Sequence, residues 1–144
     1  MIHGKGGEDG EIQSILEPAK IKYTGSDSTS SLNAFDKLES KVIFEKNGLE
    51  VPLRMMLQHS PPKNDGIVIK PVREGSSFGV SIIKRWWDYK KRRPSLETEE
   101  ALKEAQKYGD EVLIEEFIEG KELTVAIVGE STYPAIEIIS PNEF

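Results

Sequence analysis

Apolar positions recur at helical spacing in two early stretches of the chain. Ile12, Ile15 and Leu16 predict a short helix, with Glu8 and Asp9 just before it and Pro18 ending or kinking it near Glu17. Leu32, Phe35, Leu38, Val42 and Ile43 lie on one helical face and predict a single helix over residues 32–47. The polar turn SDSTSS caps that helix and Gly48 stops it. Residues 21–25 read as a short strand or an extended link, residues 51–57 as a strand, and residues 58–65, with a Pro-Pro pair, as a turn-rich loop. From Gly66 the pattern becomes β-branched: strand, tight Gly-Ser loop, and a second strand running to Ile83. A helix follows over residues 97–108, with Thr98 as expected N-cap, a narrow stripe of Ala101, Leu102 and Ala105, and Gly109 as stop. Residues 111–118, 122–128 and 132–139 read as three strands joined by short turns. The expected class is therefore α/β: a mostly antiparallel sheet with packed helices.

Composition narrows the function. The 144 residues suit one domain with a real core. Net charge is −6, which gives no field favouring nucleic acid or an anionic membrane. Cysteine is absent, which removes disulfides, thiolate metal sites and a thiol nucleophile. No apolar run reaches membrane-spanning length and no basic segment leads into an apolar one at the N-terminus, so the cytoplasm is the expected compartment.

The stretch GIVIKPVREGSSFGV carries the most chemistry. A loop of Gly and Ser exposes backbone N–H groups and adds two hydroxyls, and Lys70 at the strand end supplies charge, as a polyphosphate requires. The lysine precedes the glycines and no helix follows at once, so this is not the G-x-x-x-x-G-K-[ST] loop, and an ordinary hairpin with a solvated lysine satisfies the same residues. Lys37 and Lys41 stand one helical turn apart, either as a solvated basic stripe or as lysines presented to an anion. The first ten residues hold four glycines and form a loop. His3 within it reads as a ligand, a base or a structural histidine; His59 receives no role. The segment KRWWDYKKRR interleaves six basic residues with three aromatics, as a nucleic-acid patch does, but it sits in an acidic chain between a strand and a helix, where a solvated connector is also expected.

Five separated pieces, HGKGGEDG, YTGS, FDKLESK, IVIKPVREGSSFGV and VLIEEFIEGKELTVAIVG, together resemble the D-alanine–D-alanine ligases of the ATP-grasp superfamily, in order and approximate spacing. The resemblance implies an ATP-grasp fold and a ligase that phosphorylates one D-alanine carboxylate and lets the amine of a second displace phosphate, for peptidoglycan precursor synthesis. It implies that Lys37 and Lys70 contact ATP phosphates, that Ser77 belongs to the loop covering them, and that Ser76, His3 and Glu8 order the first D-alanine. Glu115 falls where the family binds the adenine amino group, Phe117 and Ile118 where backbone holds the ring, and Glu122 where ribose hydroxyls bind.

The pattern also departs from the family. The N-terminal α/β domain is represented only by a remnant, expected over residues 1–31, followed by a small lobe over 32–120 and the start of a large lobe over 121–144. The family's arginine and its Asp, Glu and Asn ligands for Mg2+ (or Mn2+) lie beyond the C-terminal end, so no metal ligand is assigned here, and residues 84–94 are longer than the family's connector. The expectation is a central fragment that does not turn over alone, with an exposed sheet edge or apolar face, from an enzyme that is a homodimer when complete. ATP and D-alanine are the expected partners, without nucleic acid or membrane. Two alternatives stand beside it: a non-catalytic nucleotide-binding remnant, and a nucleic-acid binder working through residues 84–93. The second substrate, D-alanine, D-lactate or D-serine, stays open.

Overall fold

The computed structural model describes residues 4–57 and 66–139. His3 and His59 lie outside them. Three helices come first: α1 (Glu11–Leu16), α2 (Ser28–Phe35) and α3 (Lys37–Lys46). The expected single helix over 32–47 is thus two helices, and α2 begins four residues earlier. Asp36 causes the break. Its backbone is extended, and its carboxylate accepts from the N–H groups of Leu38 and Glu39, capping α3. Asp27 caps α2 in the same way through Ser30 N. Residues 21–25 form the extended link rather than a strand. Glu17 fastens the segment that follows, accepting from the Tyr23 hydroxyl, Ser28 N and Ser28 Oγ.

Gly10 shows why the N-terminal loop is glycine-rich at its end. It is the N-cap of α1 at φ 86°, and a Cβ there would stand 2.2 Å from the carbonyl oxygen of Ser28. Backbone on the α2 side leaves room for no side chain at this crossing.

The central sheet has the order β2-β1-β5, with β1 (Ile67–Pro71), β2 (Ser81–Ile83) and β5 (Val112–Glu116) all antiparallel. The expected strand over 51–57 reduces to a bridge between Arg54 and Glu115, flanked by hydrogen bonds from Met55 N to Ile114 O and from Glu116 N to Leu53 O. Segment 53–55 therefore covers the outer edge of β5 without forming a regular strand.

Helix α4 (Leu96–Gln106) packs on one face of the sheet. Ile67, Ile69, Ile83, Trp86, Ala101 and Ala105 form the core there, all fully buried or nearly so. Each buried Ile side chain contributes on the order of 2 kcal/mol. The small residues Ala101 and Ala105 let the helix sit close to the strands. Ser95, not Thr98, is the N-cap of α4. Ser95 Oγ accepts from Thr98 N, while the buried Thr98 hydroxyl donates to Trp86 O and so ties the helix to the connector.

That connector is a small hairpin of β3 (Trp87–Asp88) and β4 (Arg93–Pro94). Trp86 is buried and Trp87 half-buried, so two of its three aromatics fold onto the body, while Tyr89 is exposed. The last two expected strands are each interrupted: β6 (Glu122–Thr124) pairs β9 (Ile136–Ile138), and β7 (Ile127–Val128) pairs β8 (Ser131–Thr132). Pro134, which has no N–H to give, lies in the interruption. Ile118, Leu123, Ile127, Val128, Ile136 and Ile139 are exposed in this part of the chain, and the pairing of Leu123 with Glu137 and of Thr124 with Ile136 distributes them over both sides of the ribbon.

Candidate nucleotide site

Antiparallel pairing builds the site on the sheet face opposite α4. Val68 is paired with Glu115 and Lys70 with Leu113, so Lys70 and Glu115 lie diagonally across two strands on one face. Lys70 Nζ reaches Glu115 Oε1 in an ion pair. Lys41 Nζ reaches the other oxygen, Oε2, at 2.8 Å, and also donates to Pro52 O. The Glu115 side chain is only 6% exposed, against 16% for Lys41 and 23% for Lys70. A buried carboxylate requires partners, and it has two cations.

Lys37 completes the group. Its backbone N–H donates to Val72 O at 3.2 Å and its Nζ donates to Glu74 O at 2.6 Å and Val72 O at 3.3 Å. Burial, with the charge of Lys70 second, holds the Lys37 ammonium below the usual lysine range. Two ammonium groups pair with one carboxylate, and Lys37, near enough to feel the charges of Lys70 and Glu115, adds a third positive charge beside them. Such an arrangement stabilises an added anion.

The loop after β1 is conformationally strained. Ser76 and Ser77 stand at φ 51° and 59°, two successive non-glycine residues in the left-handed region. Hydrogen bonds from Phe78 N to Gly75 O and Val80 N to Ser77 O hold the turn. Such strain costs on the order of 1–2 kcal/mol per residue and persists where surrounding structure imposes it. Phe78 anchors the loop by stacking on Tyr108, ring centroids 5.8 Å apart.

The N-terminal loop closes on this turn. A Cβ on Gly75 would stand 3.2 Å from Glu8 Oε2 and 3.9 Å from Gly4 Cα, so the HGKGGEDG and REGSS pieces touch. Glu8 Oε2 also accepts from Gly4 N at 2.6 Å. Of the other residues singled out in the sequence, Phe117 is half-buried against Gly66, and its N–H donates to Gly66 O at 3.0 Å. Ile118 and Glu122 are exposed, and among the described residues no ion pair joins Glu122 to the lysines. Lys41 is not part of a solvated stripe: its ammonium is held inside the protein by Glu115 and the carbonyl of Pro52. The sequence analysis missed Asp36, which caps α3 and also accepts from Arg73 Nε at 2.7 Å; its place directly before Lys37 was the available signal.

A cleft of about 650 Å³ lies beside this group, between α1, α2 and residues 72–74, lined by Asp9, Ser28, Phe35, Arg73, Tyr108 and Glu111 among others. None of the three lysines or Glu115 lines it, although Val72 and Glu74, whose carbonyls hold Lys37, do, and its charge is mostly acidic. Among the described residues no cluster of three His, Cys, Asp or Glu could hold a metal ion, and no helix is long and apolar enough to cross a membrane.

Comparison with known proteins bears on the family and the fold. Residues 65–144 match the family model described as D-ala D-ala ligase C-terminus. A D-alanine–D-alanine ligase of Citrifermentans bemidjiense is 43% identical over 147 residues, covering 99% of this chain and 45% of that protein. Among solved structures, D-alanyl-alanine synthetase A from Vibrio cholerae is similar with a TM-score of 0.75 at 27% identity, over 98% of this chain and 45% of that one. The Bacillus anthracis D-alanine–D-alanine ligase complexed with ATP gives 0.73 at 31% identity, over 99% and 47%. The chain thus spans about half the length of the relatives it matches. Its mixed helical and antiparallel arrangement is the ATP-grasp type. Sequence pieces, fold and relatives agree, and the chain belongs to the D-alanine–D-alanine ligase family.

Proposed function

We propose that this chain supplies the nucleotide-gripping part of an ATP-dependent ligase that joins two D-alanines in the cytoplasm for peptidoglycan precursor synthesis. The observation that carries the reading is the group of Lys37, Lys41, Lys70 and Glu115 beside a strained Gly-Ser loop. Lys37 and Lys70 hold the phosphates, and the backbone and hydroxyl of Ser77 cover them. Glu115 accepts from the adenine amino group, backbone at Phe117 and Ile118 lines the ring, and Glu122 takes the ribose hydroxyls. Ser76, Glu8 and His3 order the first D-alanine.

Bound ATP supplies the phosphoryl group that activates a carboxylate. The chain's own residues position the phosphates and spread their charge, which carries most of such catalysis. The described residues do not fit a Mg2+ site. The 144 residues alone are expected not to turn over, because relatives of this family are about twice as long.

Calorimetric titration with ATP tests the reading. The unmodified chain binds, and Lys70→Ala weakens binding by roughly tenfold or more with unchanged circular dichroism. Unchanged affinity in Lys70→Ala rejects the site. The protein encoded by the reading frame that contains this chain releases ADP and phosphate only when D-alanine is present; release with no dependence on D-alanine rejects the ligase assignment.

A further inference from the structure

Lys41 is placed differently from the other two lysines. It rises from α3 one turn after Lys37 and crosses to β5, where its ammonium is tethered at two points, Glu115 Oε2 and the carbonyl of Pro52. Neither partner belongs to the Gly-Ser loop. Lys70, on the strand that leads into that loop, holds the other oxygen of the same carboxylate and is the more exposed of the pair. Glu115 therefore has one cation committed to scaffold and one that a polyphosphate can draw away.

We propose that Lys41 is the positioning residue for Glu115. It keeps Oε2 fixed while Lys70 turns from Oε1 to an arriving phosphate, and Oε1 is left aimed at the purine amino group. The inference rests on the reading of Glu115 as the base contact. Lys41 is anchored well for the task. Asp36 caps its helix, and Asp36 is itself buried and held by Arg73. Without Lys41 the carboxylate has only Lys70 to satisfy it. It then competes with the phosphates for that charge and loses its fixed orientation toward the base. A positioned carboxylate distinguishes a 6-amino purine, which donates, from a 6-oxo purine, which presents another acceptor.

The test compares ATP with ITP, which carry the same triphosphate, by calorimetry. The unmodified chain prefers ATP by roughly tenfold or more, since a buried carboxylate facing an acceptor goes unpaired. Lys41→Met brings that ratio near one, while Lys41→Arg, which restores a cation of similar reach, recovers most of it. Lys37→Ala weakens both nucleotides and leaves the ratio in place. A folded Lys41→Met chain with the original ratio overturns the proposal. If Lys41→Met does not fold, Lys41→Leu, which also removes the donor to Oε2, replaces it with the same expected fall in the ratio. Failure of both to fold makes Lys41 a structural tether and also overturns the proposal. An unmodified chain that binds neither nucleotide rejects the nucleotide site itself, and this inference with it.

Discussion

Arg73 Nε donates to Asp36 Oδ2 at 2.7 Å, joining the residue that opens α3 to the loop that follows β1. The pair fixes Lys37, the next residue along, over the carbonyls of Val72 and Glu74. Asp36 is buried, whereas the Arg73 side chain is 55% exposed and shares itself with Glu111. The helix cap therefore contributes more than the ion pair, which solvent screens. Asp36→Ala is expected to lower stability by about 2 kcal/mol, and Asp36→Asn, which can still cap, by about 1 kcal/mol. Urea denaturation midpoints measure both. Burial works to raise the Asp36 pKa, but the N–H groups of Glu39 and Leu38 and the Arg73 guanidinium outweigh it and hold it below 3.8. Its folded value is depressed, so the charge contribution is present above 3.8 and is lost as pH falls through the lower folded value. Asp36→Asn should remove that part of the acid sensitivity; an unchanged acid limb argues against the assignment.

The strained serines offer a separate test, because there stability and function pull in opposite directions. At φ 51° and 59°, Ser76 and Ser77 occupy conformations that glycine adopts without steric cost. Ser77→Gly is expected to raise stability by about 0.5 kcal/mol, the relief of strain less the greater entropy of an unfolded glycine. The same change removes the hydroxyl and loosens the turn, so ATP affinity falls by roughly threefold or more. Ser77→Ala loses affinity without gaining stability. Thermal melts and calorimetry on the three chains separate the effects. A Ser77→Gly chain that binds ATP as well as the original removes Ser77 from the phosphate loop.

The strand-loop-strand over residues 66–83 was legible because its β-branched alternation and its Gly-Ser turn are both local signals. Lys37 and Lys70 were marked by their motifs. The partner of Lys41 was not legible, because Glu115 lies 74 residues away and only the tertiary reach of the Lys41 side chain from α3 to β5 brings them together. Helix boundaries failed where a side chain competed with the backbone. Five apolar residues read as one stripe across Asp36, yet its carboxylate caps the next turn rather than continuing the last. In α4, Thr98 has the chemistry of a cap, but Ser95 directly after Pro94 takes that place and frees Thr98 to bond Trp86. The glycine count marked residues 4–10 as a loop; that Gly10 must pass Ser28 without a side chain is a fact of tertiary packing.

Alkaline pH tests the electrostatics of the site. Burial, followed by the charge of Lys70, lowers the pKa of Lys37 below its ordinary 10.5. The sign is opposite to that of a lysine that gains a partner on folding. Between its folded value and 10.5 the folded chain binds fewer protons than the unfolded one, so this group makes stability rise with pH across that window. Nucleotide binding reverses the trend. A triphosphate beside Lys37 favours the ammonium, so binding takes up a proton wherever the free chain has begun to lose it. ATP affinity should therefore fall as pH rises through the depressed Lys37 value, before an ordinary lysine would titrate. Lys37→Met should bind ATP more weakly at neutral pH and show a shallower decline toward pH of about 10. Calorimetry in buffers of different ionisation enthalpy measures the proton uptake directly. Equal uptake in the original and Lys37→Met chains would take Lys37 out of contact with the phosphates.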